Sequence, residues 1–318
     1  MAVGPTADVA IIVPTLRRPD SLTRALTSLF AQTGVGDRIG AIVVVDNDPE
    51  ATARATVDAL TSLSPWPLLY CHAPRPGVAT ARNAGLKATP APLIAFLDDD
   101  EAATPGWLSS LIAAQVQTGA DVMFGPIRGR VSEDTGWTTA YLERFFGREG
   151  PAQTGLIDHA YGCGNSLMVR ATALPGPAPF DTGADQSGGE DDLLFEALAL
   201  RGGRFGWAAD AWVDEFAPAH RATLKYALSR AFAYGQSPSQ TAARERRWLG
   251  VVKWMLVGVA QTAIWGAASA GLTLIASPRR AETLDRAARG LGKVLWTKGF
   301  EPQFYGSREL ARLQAIPA

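Results

Sequence analysis

Four runs of uninterrupted apolar residues, each handing over to a stretch with helical spacing, constrain this chain more than any other feature. Val9-Ala10-Ile11-Ile12-Val13 stops at Pro14, and Leu22, Ala25, Leu26, Leu29 and Phe30 then recur at the spacing of one helix face. Ile42 to Val45 ends in Asp46-Asn47-Asp48 and leads into a helical stretch through Leu60 and Leu63. Pro67 to Cys71 reads as a third strand, Gly77 to Lys87 as a third helix, and Leu93 to Leu97 as a fourth strand that runs into Asp98-Asp99-Asp100. A strand with one wet face alternates apolar and polar residues, and these do not. Continuous apolar strands, each followed by a helix, predict an α/β fold with a mostly parallel sheet covered on both sides.

Further along, Leu108, Leu111, Ile112 and Val116 mark another helix and Asp121 to Gly125 another strand. The pattern weakens over residues 129 to 154. The Pro-, Gly- and Asp-rich segment from Pro175 to Gly189 reads as a loop that delivers Glu190-Asp191-Asp192 to the start of a helix carrying Leu193, Leu194, Ala197 and Leu198. A net charge of −1 argues against a nucleic-acid binder. The two cysteines, Cys71 and Cys163, have no metal-type spacing, so neither a disulfide framework nor a zinc site is expected. Met1 to Pro5 lacks the basic stretch and apolar core of a signal peptide, which predicts a catalytic part that stays in the cytoplasm.

Carboxylates stand where buried strands should surface. In open α/β sheets ligands gather at the carboxyl ends of the strands, and a hard ion such as Mg²⁺ takes carboxylate oxygens together with substrate phosphates. The same residues also suit a solvated turn after Leu97, and Glu190 to Asp192 suit the first turn of a helix, where the dipole favours negative charge.

Taken in order, Val13-Pro14-Thr15, Val44-Val45-Asp46-Asn47-Asp48, the stretch Gly77 to Gly85, Asp98-Asp99-Asp100, Gly162-Cys163-Gly164-Asn165 and Gly188 to Leu193 resemble the family-2 glycosyltransferases, whose nucleotide-sugar-binding fold is called GT-A. The likeness covers roughly residues 9 to 235. It implies a nucleotide-diphosphate sugar donor and Mg²⁺ or Mn²⁺. By resemblance Asp46 accepts a hydrogen bond from the base, with Pro14 and Thr15 beside it, and Arg82 lies near the base and diphosphate. Asp98 is implied as a ribose or metal contact and Asp100 as the principal metal ligand, with Asp48, Asp99, Gly164 and Asn165 completing the donor site. The position matching the general base is Asp191. Glu190 stays open as the base if the loop is offset by one residue, while Asp192 suits a cap. Attack from the face opposite the nucleotide inverts the anomeric centre and uses one base. The Gln-x-x-Arg-Trp motif of processive members has no counterpart around Gln240 to Trp248, so a single transfer is expected. Asp214, Glu215 and His220 fall where some relatives place a further site residue, with His220 read as an exposed loop residue.

Beyond residue 235 the expectation is a helical, membrane-associated region, residues 236–318, after a catalytic domain over residues 1–235. Trp254 to Ala276 is a 23-residue stretch without a charge, flanked by Arg244, Arg246, Arg247 and Lys253 on one side and Arg279, Arg280 and Arg286 on the other. Such symmetric basic flanks favour a re-entrant or interfacial hairpin over a single span. Leu284 to Trp296 reads as a basic amphipathic helix on anionic lipid, or as a packed helical appendage. The stretch Glu215 to Gly235 and the tail ending near Tyr305 are similar to bacterial exopolysaccharide transferases of the succinoglycan-assembly kind. That likeness implies a polyprenyl-diphosphate-linked or other glycan acceptor at the cytoplasmic face of the plasma membrane. Two rival readings are a sugar-phosphate nucleotidyltransferase, whose glycine-rich phosphate loop is missing from Val13 to Arg18, and a non-catalytic nucleotide-sugar-binding scaffold, which predicts loss of the carboxylates.

Overall fold

The computed structural model describes residues 7–131, 133–304, 307 and 310–312; Met1 to Pro5 and Tyr305 lie outside the described residues. The elements run β1 (Val9–Thr15), α1 (Pro19–Phe30), β2 (Ile39–Asp46), α2 (Arg54–Thr61), β3 (Leu68–His72), α3 (Val78–Lys87), β4 (Leu93–Phe96), β5 (Glu101–Ala103), α4 (Trp107–Thr118), β6 (Val122–Phe124), β7 (Ile127–Arg130) and α5 (Thr139–Phe146). They continue through β8 (Gly155–Ile157), β9 (Ser166–Val169), α6 (Arg170–Ala173), α7 (Glu190–Leu200), β10 (Phe205–Trp207), β11 (Val213–Phe216), α8 (Leu224–Arg244), α9 (Trp248–Leu274) and α10 (Arg280–Val294).

Eight strands form one sheet in the order β3-β2-β1-β4-β9-β6-β10-β8. The four strands read from apolar runs are parallel to one another. β9 is inserted antiparallel between β4 and β6, and β8 closes one edge antiparallel to β10. The sheet is therefore mostly parallel with helices on both faces, the GT-A type of arrangement. Its strands alternate between two cores: Val9, Ile11 and Val13 pack with Leu22, Leu26, Leu29, Trp107 and Leu111, while Ala10 and Ile12 pack with Leu86, Phe180, Leu194 and Phe195. Each fully buried leucine contributes about 2 kcal/mol, which is why both faces must be apolar. Register places Thr15 beside Asp46 and Ile12 beside Phe96, so β1, β2 and β4 reach the same edge with Asp98 just beyond it.

The chain divides into two compact units. One holds the described residues up to Arg128, Gly147–Phe216 and those from Gln303; the second holds Gly129–Phe146 and Ala217–Pro302. Residue 235 falls inside α8. Within the second unit α10 packs on both α8 and α9 through small residues: a Cβ at Gly292 would run into the Phe232 carbonyl, and one at Gly290 into Thr262. Gln236 Nε2 donates to the Leu295 carbonyl at 2.7 Å and Ser239 Oγ to that of Lys293 at 2.8 Å, satisfying acceptors at the end of α10. Thus α10 is a packed helix of this unit. The hairpin expected over Trp254 to Ala276 is absent; α9 is one continuous helix of 27 residues. No proline interrupts it before Pro278, and its glycines fit helical backbone, so nothing local forces a turn. α9 is long and apolar enough to cross a membrane by length and composition, and Leu249, Leu256, Ile264 and Leu274 project outward, with Leu249 88% exposed.

Candidate active site

Loops at the carboxyl edge of the sheet converge within the first unit. After β1, Thr15 Oγ1 donates to Asp99 Oδ2 at 2.7 Å, and Arg18 Nη1 donates to Asp99 Oδ1 at 2.8 Å and to Asp100 Oδ2 at 3.0 Å. After β2, the buried Asp46 carboxylate accepts from the backbone N–H of Asp48 at 3.1 Å and of Ala53 at 2.8 Å and from the Tyr70 hydroxyl at 2.9 Å. Burial, with Asp46 beside it, pushes the Tyr70 hydroxyl up to about 12, so it remains a donor. Pro14 is paired with Val45 in the ladder. Asp48 is fully buried and serves its own turn, bonding Thr52 Oγ1 at 2.7 Å and pairing with Arg17 Nε at 2.9 Å. Its carboxylate also accepts from Glu50 N at 3.2 Å, so its contacts lie within its own turn and on Arg17.

Asn47 ties this loop to the start of α3, donating to the Ala73 and Arg75 carbonyls at 2.8 Å and accepting from Gly77 N at 2.6 Å. Asp185 caps α3 by accepting from Thr80 N at 3.0 Å and Thr80 Oγ1 at 2.7 Å. Gly77 leaves room for that carboxylate, into which any Cβ would project. One turn on, buried Arg82 pairs with Glu190 of α7, and its Nη2 lies 3.6 Å from Asp98 Oδ1. Although burial pulls the Arg82 pKa down, the charges of Glu190, Asp98 and Asp191 outweigh it and hold the guanidinium charged.

The turn before β9 closes the site. Gly164 lies so close to Asp98 that a Cβ would sit 2.6 Å from Asp98 Oδ2. Cys163 N donates to Asp191 Oδ2 at 2.9 Å, which aligns the start of α7 with the turn. Burial raises the Cys163 thiol, so this cysteine offers its backbone N–H and no thiolate. Gly188 and Gly189, at φ +81° and +86°, take the left-handed backbone that brings the chain into α7, a conformation glycine adopts without strain. Asn165 is fully buried: its amide donates to the Pro126 and Ala211 carbonyls at 2.8 and 3.0 Å and accepts from Trp107 Nε1 at 2.7 Å. Its side chain therefore ties the start of β9 to Trp107 and to the Pro126 and Ala211 carbonyls. Arg148 Nη1 and Nη2 donate to the Gly164 and Gly162 carbonyls at 2.9 and 3.0 Å and fasten the turn from behind.

Two further carboxylates join. Glu101 Oε2 accepts from Asp98 N at 2.9 Å, and antiparallel pairing of β5 with β11 sets Glu215 directly across from Glu101. Like charges opposite each other destabilise a strand pair, so the arrangement serves something other than the pairing. Burial raises the pKa of both glutamates, with Asp98 and Asp100 adding to the effect, and it raises Asp98 against the pull of Arg82. Burial also lowers Arg148, which those carboxylates partly offset. For Glu190 burial outweighs Arg82 and pushes the carboxyl up to about 7.

Of the residues expected from sequence, Asp98, Asp99, Asp100, Arg82, Gly164, Glu190 and Asp191 are brought together, and Thr15 touches Asp99. Asp46, Asp48 and Asn165 are buried with their polar atoms engaged. His220 is half-buried in the second unit. Sequence reasoning missed Arg18, Glu101 and Arg148. Glu101 was legible as a fourth acid after Asp100; Arg148 lies in the unpatterned stretch and carries no local signal.

Among the described residues, no three Asp, Glu, His or Cys groups stand ready to hold a metal ion by themselves. Mg²⁺ characteristically takes one or two protein carboxylates and completes its shell with substrate phosphates and water. Asp98 and Asp100 suit that role: both are hard oxygen donors at one loop, and the glycine at position 164 leaves Asp98 Oδ2 uncovered by any side chain there.

Residues 10–174 match the family model described as Glycosyl transferase family 2. The chain is similar to the succinoglycan biosynthesis protein ExoM of Rhizobium meliloti (strain 1021), 31% identical over 309 residues that cover 96% of this chain and 98% of that protein. It is also similar to the pre-mycofactocin glycosyltransferase of Mycobacterium tuberculosis, 26% identical over 76% of this chain and 49% of the relative. Among solved structures, S. aureus TarS 1-349 in complex with UDP-GlcNAc shares 18% identity at a TM-score of 0.49, covering 66% of this chain and 58% of that one.

Proposed function

This chain belongs to glycosyl transferase family 2, and we propose that it moves one sugar per encounter, with inversion and with a divalent cation, from a nucleotide-diphosphate sugar to a hydroxyl of a lipid-linked or other glycan acceptor. The observation that carries this reading is the junction of Asp98 to Asp100 with Asp191 through the turn Gly162 to Asn165. It sets a donor-side carboxylate cluster beside a second carboxylate, Asp191, that the turn holds through Cys163 N. Family membership leaves the nucleotidyltransferase reading without support, and the carboxylates that a scaffold would dispense with are all present.

Asp191 is the base in this reading. Its Oδ2 accepts from Cys163 N at 2.9 Å within the field of Arg82 and Arg148, and in this role it takes the proton of an incoming acceptor hydroxyl as the bond to the anomeric carbon forms. Glu190 is paired with Arg82 and positions that guanidinium toward the diphosphate. With one carboxylate committed to Arg82, a single base remains, which matches direct displacement. A bound Mg²⁺ or Mn²⁺, held by Asp100 and Asp98, would neutralise charge on the departing nucleotide diphosphate. The name of the succinoglycan relative supports a place in exopolysaccharide or cell-envelope polysaccharide assembly.

Membrane attachment on the cytoplasmic face belongs to the same proposal. It is supported by the outward apolar residues of α9 and by basic residues toward both its ends, Arg246 and Arg247 before it, Lys253 in its second turn, and Arg279 and Arg280 after it. Each basic residue near an anionic surface adds about 1 kcal/mol of attraction.

Calorimetric titration of the full chain with UDP-, GDP- and dTDP-sugars, with and without Mn²⁺, tests the donor site. One nucleotide should bind in a cation-dependent way, and Asp100→Ala should lose it. Binding that is indifferent both to Mn²⁺ and to Asp100→Ala would defeat the cation-dependent reading.

A further inference from the structure

Three consecutive carboxylates at the end of a buried strand need a positive partner before any substrate arrives, and Arg18 supplies it. One nitrogen, Nη1, donates to Asp99 Oδ1 at 2.8 Å and to Asp100 Oδ2 at 3.0 Å, and the side chain is only 14% exposed. A single positive centre shared by carboxylates of neighbouring residues is how a bridging cation is held. The two bonds differ in what else supports them. Asp99 is also held by Thr15 Oγ1 on its other oxygen at 2.7 Å. Among the described residues, Arg18 is the only side chain bonded to the Asp100 carboxylate. The backbone at Asp100 is fixed separately, since its carbonyl accepts from Phe216 N at 2.7 Å. The backbone that carries the carboxylate is therefore held independently of the guanidinium.

We propose that Arg18 is an internal stand-in for the divalent cation: it neutralises Asp99 and Asp100 while the donor site is empty, and a cation taking Asp100 displaces its guanidinium, which remains tethered to Asp99. This rests on the reading of Asp100 as a cation ligand. An arginine cannot shed its charge by deprotonation, so the exchange is a competition between two positive groups for one carboxylate. A cation alone must break a charge-assisted bond and then sit beside a guanidinium. A cation arriving with a diphosphate meets less opposition, because the displaced guanidinium gains an anion. Arg18 would thus make cation binding depend on the donor and keep the site from filling with free metal.

The test is calorimetric titration of the full chain with Mn²⁺ alone, checked by electron paramagnetic resonance of free Mn²⁺, for wild type, Arg18→Gln, Arg18→Lys and Asp100→Asn. A structural role for Arg18 predicts weaker Mn²⁺ binding when it is removed; the stand-in role predicts the opposite sign. Arg18→Gln should bind Mn²⁺ about tenfold more tightly than wild type, the factor expected for one charge-assisted bond of about 1.4 kcal/mol. Arg18→Lys keeps the charge and the fold should Arg18→Gln not fold, and its point charge cannot bridge both carboxylates as well, so it should bind Mn²⁺ a few-fold more tightly. Equal or weaker binding in both variants, with Asp100→Asn still abolishing it, overturns the role of Arg18 and leaves the cation site standing. Mn²⁺ binding that Asp100→Asn does not change overturns the cation reading, and the stand-in with it.

Discussion

Gly164→Ala probes how closely the turn before β9 is fitted to the donor-side carboxylates. The added methyl would lie 2.6 Å from Asp98 Oδ2 and 3.2 Å from Glu101 Oε1. Carbon and oxygen are comfortable at about 3.4 Å, so something must give by roughly 0.8 Å. Asp98 is the softer neighbour, because its side chain is 40% exposed and its nearest cation, Arg82 Nη2, is 3.6 Å away. Glu101 is buried and bonded to Asp98 N at 2.9 Å, so it resists. The protein should fold, with about 2 kcal/mol lost to overpacking and a melting temperature lower by about 4–8 °C. Chemistry should suffer more than stability, since a displacement approaching 1 Å at a reacting centre costs up to about 10²-fold. The assay pairs thermal unfolding with Mn²⁺ titration and sugar transfer. Repeating it in an Asp98→Ala background, where the clash has no target, should remove most of the added effect on transfer. A Gly164→Ala protein with wild-type Mn²⁺ affinity and wild-type transfer would show that the position of the Asp98 carboxylate is immaterial, and the donor-site reading built on it would fall.

Asp191→Asn should keep donor and cation affinity while transfer drops by about 10²-fold or more, as for a lost general base; unchanged turnover in a kcat and KM comparison would move the base elsewhere. Asn165→Ala strands the Trp107 indole N–H and the carbonyls of Pro126 and Ala211, so unfolding in urea should show a loss of about 3–5 kcal/mol, and a loss under 1 kcal/mol would contradict its scaffold role. The pKa of Glu190 is raised to about 7, chiefly by burial, so its share of stability is present below the usual carboxylate range and is lost as pH rises through about 7. Urea midpoints at pH 5 and pH 8 should therefore differ less in Glu190→Gln than in wild type, and an equal difference would refute that environment for the carboxyl. Replacing outward-facing Leu256 and Ile264 of α9 with Glu should leave the melting temperature within about 2 °C but weaken co-sedimentation with phosphatidylserine vesicles about tenfold or more; undiminished sedimentation would remove α9 from the membrane surface.

The parts of this fold visible in sequence are those whose signal is local. Apolar runs at Val9, Ile42, Pro67 and Leu93 announce β1 to β4, and helical spacing announces α1, α3, α4 and α7. β9 escaped because Ser166 to Val169 is only four residues long and follows a glycine turn, so nothing nearby says that it enters the sheet antiparallel. For α9 local reasoning misled: basic residues at both ends suggested a hairpin, whereas an unbroken helix satisfies its own backbone and needs no turn.

The site divides in the same way. Sequence alone determined which residue types gather at strand ends, above all Asp98 to Asp100 and Glu190 to Asp192, because those groups sit where apolar periodicity stops. Tertiary structure alone decided their partners. Arg18 meets Asp99 across 81 residues, Arg82 meets Glu190 across 108, and Glu215 meets Glu101 only because β11 pairs with β5 in that register. It also turned Asn165 inward, into bonds with Trp107, Pro126 and Ala211. Hydrophobic pattern is written over neighbouring residues and can be read from them, whereas charge pairing depends on distances of a few ångströms that exist only once the strands have been set side by side.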